Sequence, residues 1–190
     1  MQTNAAMKLL FERGALELSP ADEPFWYTSG NFGPYYINTH YLFGGAEHAK
    51  KSLQLLNDPD ASALLAFQQL VAKELQDDPV YRDLMQALAQ GLEKAYALIA
   101  GGARRDFSFS FAIAFLLKKP DLAFLKDGRS FWLENNECQE IPADQTLEGP
   151  VLHVADLLTA GSSYLRAWLP MLRAHGLKLE ETLVIVDRDQ

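Results

Sequence analysis

The second half of the chain alternates short apolar runs with segments of helical character, and this alternation most limits what it can fold into. Four runs have the composition of buried strands: 97–100, 122–125, 151–154 and 183–186. Helices are predicted after the first and third runs, through residues 111–117 and over 164–174. Strands separated by helices are typical of a parallel sheet covered on both faces. The sequence therefore predicts an α/β fold with a central parallel sheet flanked by helices.

The first half divides into a turn-rich segment and a helical segment. Aromatic residues alternate with Gly, Pro and Asn over 25–43, which predicts two strands joined by a turn at Ser29-Gly30-Asn31. Over 46–98 the apolar residues recur at helical spacing. They form two stripes: Leu64, Phe67, Val71 and Leu75, then Leu84, Leu88 and Leu92. We predict one domain over 1–190, with a small N-terminal part (1–45), a helical insertion (46–98) and an α/β core (99–190).

Composition narrows the class of protein. A chain of 190 residues can bury a sizeable core. Its net charge of -8 argues against nucleic acid or an anionic membrane as the main partner. A single cysteine, Cys138, allows no internal disulfide and favours a reducing compartment, with the cytoplasm as the expectation. No apolar run has the length needed to cross a bilayer, and residues 1–13 lack the apolar core of a secretory signal.

One segment carries the features of a ligand site. The predicted strand 151–154 leads into Asp156, then into small residues, Thr159-Ala160-Gly161-Ser162-Ser163, before the next helix. Ligands of open parallel sheets bind beyond the carboxyl ends of the strands. Backbone N–H groups at a helix start bind phosphate, although no Gly-Lys-Ser/Thr of a Walker A loop is present. The alternative is an ordinary connection between a strand and a helix.

The run 151–163 resembles the phosphoribosyl pyrophosphate signature of type I phosphoribosyltransferases. Three further segments resemble the orotate branch of that family in the same order. Ser29-Gly30 with Pro34-Tyr35-Tyr36-Ile37-Asn38 is similar to its N-terminal hood. Gly101-Gly102-Ala103-Arg104-Arg105-Asp106 stands at the pyrophosphate loop, and 183–188 is similar to the late strand that ends in Val-Asp-Arg.

The resemblance implies a role for each matching residue. Those expected to hold the 5-phosphate are Thr159, Ala160, Gly161, Ser162 and Ser163. Those expected at pyrophosphate are Ala103, Arg104 and Arg105, and those at the base are Tyr35 and Tyr36. Asp156 would face the ribose hydroxyls and help in catalysis together with Arg105 and Lys126. Mg²⁺ is the implied cofactor, with Asp156 as its possible ligand, and a homodimer is the implied assembly.

Four departures from the family pattern separate the functional hypotheses. Ala155 stands in place of the first acid of the signature, Thr28 in place of a lysine, and Asp106 in place of a loop glycine. The basic catalytic loop is reduced to Lys126 and Arg129. One hypothesis is a transferase acting on phosphoribosyl pyrophosphate and a nucleobase such as orotate. The second is a weak or inactive relative that binds a phosphorylated ribose as a regulator, and the third is a subunit that associates through its helical insertion.

Structural interpretations stand beside the functional ones. Asp156 could cap a helix, and Arg104 and Arg105 could be surface charges paired with Asp106. His153, inside a predicted strand, is expected to be a hydrogen-bonded core residue rather than a base. The acidic run 134–140 is expected to be a solvated loop. Since successive strand residues face opposite ways, at least one of Tyr35 and Tyr36 is expected in the core.

Overall fold

A computed structural model describes residues 3–27, 30–159 and 161–188, with side chains from residue 8 onward. The chain divides into two compact units, Met1–Lys51 and Ser52–Gln190. None of the helices in the described ranges combines the length and apolar character that a membrane span requires.

The first unit contains short strands between helices. It comprises α1 (Thr3–Glu12), β1 (Leu16–Leu18), β2 (Phe25–Trp26), β3 (Phe32–Gly33), β4 (Tyr35–Ile37), a 3-10 turn (Thr39–Leu42) and α2 (Ala46–Leu53) up to Lys51. β1 pairs antiparallel with β4, and β2 with β3.

The predicted strand-turn-strand lies at β2 and β3. The Tyr27 N–H donates to the Asn31 carbonyl at 2.7 Å, and the Gly30 N–H donates to the Tyr27 carbonyl at 3.0 Å. Gly30 has a φ of +86°, which a turn of this kind requires. Ser29 and Thr28 lie outside the described residues.

The second unit is built on a six-stranded sheet. Its strands are β5 (Leu98–Gly102), β6 (Asp121–Phe124), β7 (Ser130–Glu134), β8 (Glu137–Ile141), β9 (Val151–Leu158) and β10 (Leu179–Asp187). They lie in the order β10-β9-β5-β6-β7-β8. The four strands from β10 to β6 are parallel, while β7 and β8 add antiparallel. The predicted α/β sheet is confirmed, with an antiparallel edge that the sequence pattern did not predict.

The expectation of a solvated loop over 134–140 is wrong, because this stretch forms the β7–β8 hairpin. Asn135 and Asn136 have φ angles of 52° and 62°, the left-handed conformation required by a two-residue hairpin turn. Cys138 consequently lies on a strand, opposite Leu133. The polar and charged residues of edge strand β8 give it the composition of a loop, so the sequence pattern did not predict it.

Three helices pack on one side of this sheet: α3 (Ala61–Asp77), α4 (Pro79–Gln90) and α5 (Phe107–Leu117). α5 contacts the central strands, α3 contacts α5 and β8, and α4 packs on α3 and α5. The predicted stripe on α3 is buried throughout, and the rings of Phe67 and Phe111 pack edge to face at 6.1 Å. Asp78 caps α4, and Pro79 is its first residue. The apolar stripe of α3 is thus buried within the second unit, in part against α5.

The helix that follows β9 covers the opposite face. It contains a π-helical turn, Tyr164–Trp168, and continues as α6 (Leu169–Ala174). Pro170 has no N–H to donate, and the helix is irregular directly before it, as expected for a proline inside a helix. Trp168 and Leu172 pack against Leu98 and Phe124 of the sheet. Gly176, at a φ of +71°, follows the helix end.

Two adjacent glycines let both layers approach the end of β5. A Cβ at Gly101 would lie 2.5 Å from Ser110 Oγ of α5, and one at Gly102 would lie 2.3 Å from the indole ring of Trp168. The Gly101-Gly102 pair is therefore required by close packing on both faces. It also fixes where the connection to α5 leaves the sheet.

Candidate functional site

The predicted site residues of the second unit lie at the carboxyl edge of three neighbouring strands. The connection 103–106 follows β5, Lys126 follows β6, and the connection 159–163 follows β9. β5 lies between β6 and β9, and neighbouring strands are about 4.8 Å apart. This edge is where open parallel sheets bind their ligands.

Asp156 and Arg105 are in direct contact at this edge. Arg105 Nε lies 3.0 Å from Asp156 Oδ2, with the Asp156 side chain 8% exposed and that of Arg105 35% exposed. Strand β9 extends to Leu158, beyond the predicted end, so Asp156 lies within a strand and caps no helix. Asp156 is thus a nearly buried carboxylate whose charge is paired with a guanidinium.

Asp106 faces into the protein. Its two carboxyl oxygens accept hydrogen bonds from the backbone N–H groups of Gly102 at 3.2 Å and of Asp156 at 3.0 Å. Burial, and then the charge of Asp156, raise the pKa of Asp106 well above its ordinary value. Asp106, which stands in place of a loop glycine, is therefore not an exposed anion of the loop. Its carboxyl group ties the connection after β5 to strand β9.

The other two residues of the predicted pyrophosphate loop are also held in place. The Ala103 N–H donates to the Phe124 carbonyl at 2.7 Å, and the peptide bond between Ala103 and Arg104 is cis. Arg104 donates through Nη1 to the Asn57 side chain and to the Leu53 carbonyl. The expectation that Arg104 and Arg105 pair with Asp106 is wrong, because Arg104 is bound at Asn57 and Arg105 at Asp156.

The predicted phosphate loop opens the helix after β9. Thr159, Ser162 and Ser163 are exposed, Ala160 lies outside the described residues, and Gly161 has a φ of +67°. The Leu165 N–H donates to the Gly161 carbonyl at 3.2 Å, which begins the helix. The N–H groups of the first turn of a helix have no partner within it and attract anions.

A hydrogen bond between His153 and Tyr164 connects β9 to the start of this helix. The Tyr164 hydroxyl and His153 Nδ1 are 2.8 Å apart, and burial lowers the pKa of His153 to about 3. His153 is therefore neutral, and its Nδ1 shares a hydrogen bond with the Tyr164 hydroxyl. The expectation of a hydrogen-bonded core histidine is confirmed. The sequence analysis did not predict Tyr164 as the partner of His153. The available signal was a tyrosine at the start of the helix that follows the strand carrying His153.

Lys126 and Arg129 lie in the short turn between β6 and β7. Lys126 is exposed and forms no ion pair with the described residues. Arg129 is bound by Asp127, with Nη2 at 2.8 Å from Oδ2, and by Asp58 at 3.4 Å. The segment predicted to stand for a mobile basic loop is thus a tight hairpin turn whose arginine is neutralised by two acids.

The residues expected at the base, Tyr35 and Tyr36, belong to the first unit. Tyr35 is half-buried, and its carbonyl accepts the Tyr27 hydroxyl. Tyr36 is 38% exposed, and its ring lies 5.7 Å from that of Phe25. The expectation that one of them is a core residue is wrong, because the strand pair carrying them is too short to have a buried face.

The donor set does not fit a protein-held Mg²⁺. Mg²⁺ prefers carboxylate oxygens in octahedral geometry. Here Ala155 carries none, Asp156 is paired with Arg105, and both oxygens of Asp106 accept backbone N–H groups. No cluster of three or more His, Cys, Asp or Glu side chains in the described ranges could hold a metal ion.

Comparison with known proteins finds similarity in structure alone. No protein-family model and no curated protein sequence matches the chain. The fold is similar to UMP synthase of Leishmania donovani, with a TM-score of 0.58 and 18% identity. All of the chain is covered, but only 32% of that enzyme, so the chain spans about a third of its length.

Two smaller proteins are covered more fully. Orotate phosphoribosyltransferase from Aeropyrum pernix superposes with a TM-score of 0.52 and 23% identity, covering 97% of this chain and 82% of that protein. Adenine phosphoribosyltransferase from Trypanosoma brucei, solved with AMP, pyrophosphate and ribose-5-phosphate, superposes at 0.51 and 16% identity, covering 98% and 70%. The chain thus has the fold of the type I phosphoribosyltransferases.

Proposed function

We propose that the chain is a phosphoribosyltransferase that binds phosphoribosyl pyrophosphate at the carboxyl edge of its sheet and transfers the phosphoribosyl group to a nucleobase. The observation that carries the proposal is the pairing of two features at one edge. The exposed connection of Thr159, Gly161, Ser162 and Ser163 opens a helix, and Asp156 with Arg105 lies at the neighbouring strand ends.

The chemistry follows from these positions. The 5-phosphate binds the N–H groups and hydroxyls of the connection after β9, with Ala160 included by resemblance. The bond between C1 of ribose and the pyrophosphate oxygen breaks, and pyrophosphate leaves with the electron pair. A bond forms between C1 and a ring nitrogen of the base, which loses its proton to solvent. The Asp156 carboxylate stabilises the positive charge that develops on the ribose, and Arg105 stabilises the leaving group.

The finer details of the proposal rest on the sequence resemblance. Orotate is the proposed base, Tyr35 and Tyr36 its proposed wall, and Lys126 a proposed contact to pyrophosphate. The homodimer is likewise part of the proposal. The single Cys138 supports a reducing compartment, with the cytoplasm as the proposed location.

A second candidate function is binding of a phosphorylated ribose without turnover. The turn between β6 and β7 supports it, because Arg129 is paired with Asp127 and Asp58 rather than available for a substrate. Ala155 supports it too, since one acid of the signature is missing. Both candidates require the same phosphate site, and they differ in whether transfer follows binding.

A binding assay and an orotate-consumption assay on one protein sample separate the candidates. Isothermal titration with phosphoribosyl pyrophosphate is expected to give a measurable Kd. Ser162→Asp places a negative charge where the phosphate binds, and we expect at least a tenfold weaker Kd, about 1.4 kcal/mol. Gln86→Glu adds the same charge on the exposed side of α4 and should leave the Kd unchanged.

The outcomes are distinct. Binding with turnover supports the transferase, and binding without turnover supports the second candidate. A wild-type protein that binds neither phosphoribosyl pyrophosphate nor ribose 5-phosphate would refute both. Equal weakening by Ser162→Asp and Gln86→Glu would place the ligand elsewhere.

A further inference from the structure

We infer that Arg105 supplies the positive charge that a divalent cation would otherwise supply to the diphosphate, so that the site binds phosphoribosyl pyrophosphate without Mg²⁺. The inference rests on the proposed function, since it concerns the ligand of the same site. The observations behind it are the contact between Arg105 and Asp156 and the Arg105 N–H donors that this contact leaves for a ligand.

The contact occupies the one signature carboxylate that a cation could use. Arg105 Nε is 3.0 Å from Asp156 Oδ2, and the Asp156 side chain is 8% exposed. Mg²⁺ dehydrates reluctantly and keeps several waters in an octahedral shell. A hydrated ion therefore has little access to a carboxylate that is nearly buried and already bound by a guanidinium. The guanidinium would also repel the ion.

The two residues next to this contact in the signature and the connection after β5 offer no exposed carboxylate. Ala155, where the first signature acid would stand, is a buried methyl group. Asp106 accepts the N–H groups of Gly102 and Asp156, and its pKa is raised by burial and by the charge of Asp156, which favours its neutral form. Within the signature and the connection after β5, the acids are thus one paired carboxylate and one buried carboxyl group.

Arg105 itself keeps donors for a ligand. A guanidinium has five N–H donors in a planar fork that matches phosphate oxygens, and the ion pair with Asp156 is formed at Nε. Its terminal amino groups form no hydrogen bond with the described residues, and the side chain is 35% exposed. Arg104 cannot substitute, because it is bound to Asn57 and to the Leu53 carbonyl. Asp156 therefore acts as the positioning residue that aims the Arg105 fork at the diphosphate.

The test is titration of phosphoribosyl pyrophosphate into the full chain, once with EDTA and once with Mg²⁺. For the wild type we expect the two Kd values to agree within about threefold, less than 1.4 kcal/mol. Arg105→Met should weaken binding at least tenfold in EDTA, and Arg105→Lys should fall between, because lysine keeps the charge and loses the fork. Ala155→Asp should make the Kd depend on Mg²⁺.

Arg82→Met is the matched control. The Arg82 side chain is 36% exposed and pairs with an acid, Asp83, so its burial and charge resemble those of Arg105. This variant should bind as the wild type does, and circular dichroism checks that every variant is folded. If Arg105→Met does not fold, Arg105→Lys and the EDTA comparison on wild type still decide.

Two results would overturn the inference while leaving the proposed function standing. One is a wild-type Kd more than tenfold weaker in EDTA than in Mg²⁺. The other is unchanged binding in folded Arg105→Met. Loss of all binding in both buffers would refute the proposed function and the inference together.

Discussion

Gly102→Ala should destabilise the second unit, because the added methyl group has no space. Its carbon would lie 2.3 Å from two atoms of the Trp168 ring. Carbon atoms in contact are about 3.5–4.0 Å apart, so the ring or the strand must move by roughly 1 Å or more. Trp168 is itself 5% exposed and stacks on Phe124 at 6.3 Å, which leaves it little freedom to rotate away.

Two effects of opposite sign set the magnitude of this change. Overpacking a well-packed core costs about 1–3 kcal/mol, while replacing glycine by alanine within a strand returns about 0.5–1 kcal/mol of chain entropy. The overpacking cost is the larger. We expect a net loss of about 1–2 kcal/mol, which lowers the Tm of a chain of this size by about 2–8 °C.

Thermal and urea unfolding measure the loss, with Gly91→Ala as the control. Gly91 has a φ of −76°, and the nearest atom to its added Cβ is the Leu88 carbonyl oxygen at 3.5 Å, so that variant should lose nothing. Trp168→Leu makes room for the new methyl group. The double variant should therefore be more stable than the sum of the two single losses predicts. An unchanged Tm for Gly102→Ala, or strict additivity with Trp168→Leu, would refute the packing argument.

Three further outcomes are expected from urea unfolding. Burial raises the pKa of the Asp121 carboxyl group, and a nearby serine hydroxyl offsets only part of that shift. The protonated carboxyl group therefore suits the folded state, and the chain loses stability as the pH rises from about 4 toward the raised pKa. Asp121→Asn should therefore become more stable than wild type as the pH increases, by up to about 1.4 kcal/mol per pH unit; a pH-independent difference would contradict this. Tyr164→Phe leaves the buried Nδ1 of His153 without its hydrogen-bond partner, and should cost about 1–3 kcal/mol; a loss near zero would show that the hydrogen bond contributes nothing. Asp78→Ala removes the cap of α4 and should cost about 1 kcal/mol, whereas Asp83→Ala on the exposed surface should change little, and equal losses would exclude a capping role.

Short-range patterns were enough to predict most of the fold. Apolar runs of strand length predicted β5, β6 and β9, because burial on both faces selects continuous apolar residues. A similar run predicted β10, although this edge strand is only half-buried. The hairpin β7–β8 escaped prediction, since an edge strand carries polar residues and its composition resembles a loop. Its turn at Asn135 and Asn136 was the available signal, and the acidic surroundings obscured it.

The candidate site was likewise predicted in part: its position was predicted, but its charge pairs were not. The sequence placed Asp156, Arg105 and the connection 159–163 at the ends of predicted strands, and therefore at one edge of a parallel sheet. It could not determine which charges pair there. The expected partner of the two arginines was the adjacent Asp106, because neighbours in sequence are the partners that a sequence makes visible.

Tertiary structure decided the pairing. β5 and β9 lie side by side with Gly101 opposite Val154, which brings Arg105 to Asp156 from about fifty residues away. The same register gives Asp106 two backbone N–H groups and turns it inward. By itself the sequence determined the kind of sheet and the edge that carries the chemistry, because these depend on local periodicity and turn residues. The charge state of that edge was decided by the tertiary structure, because it depends on strand order and on which side chains are buried together.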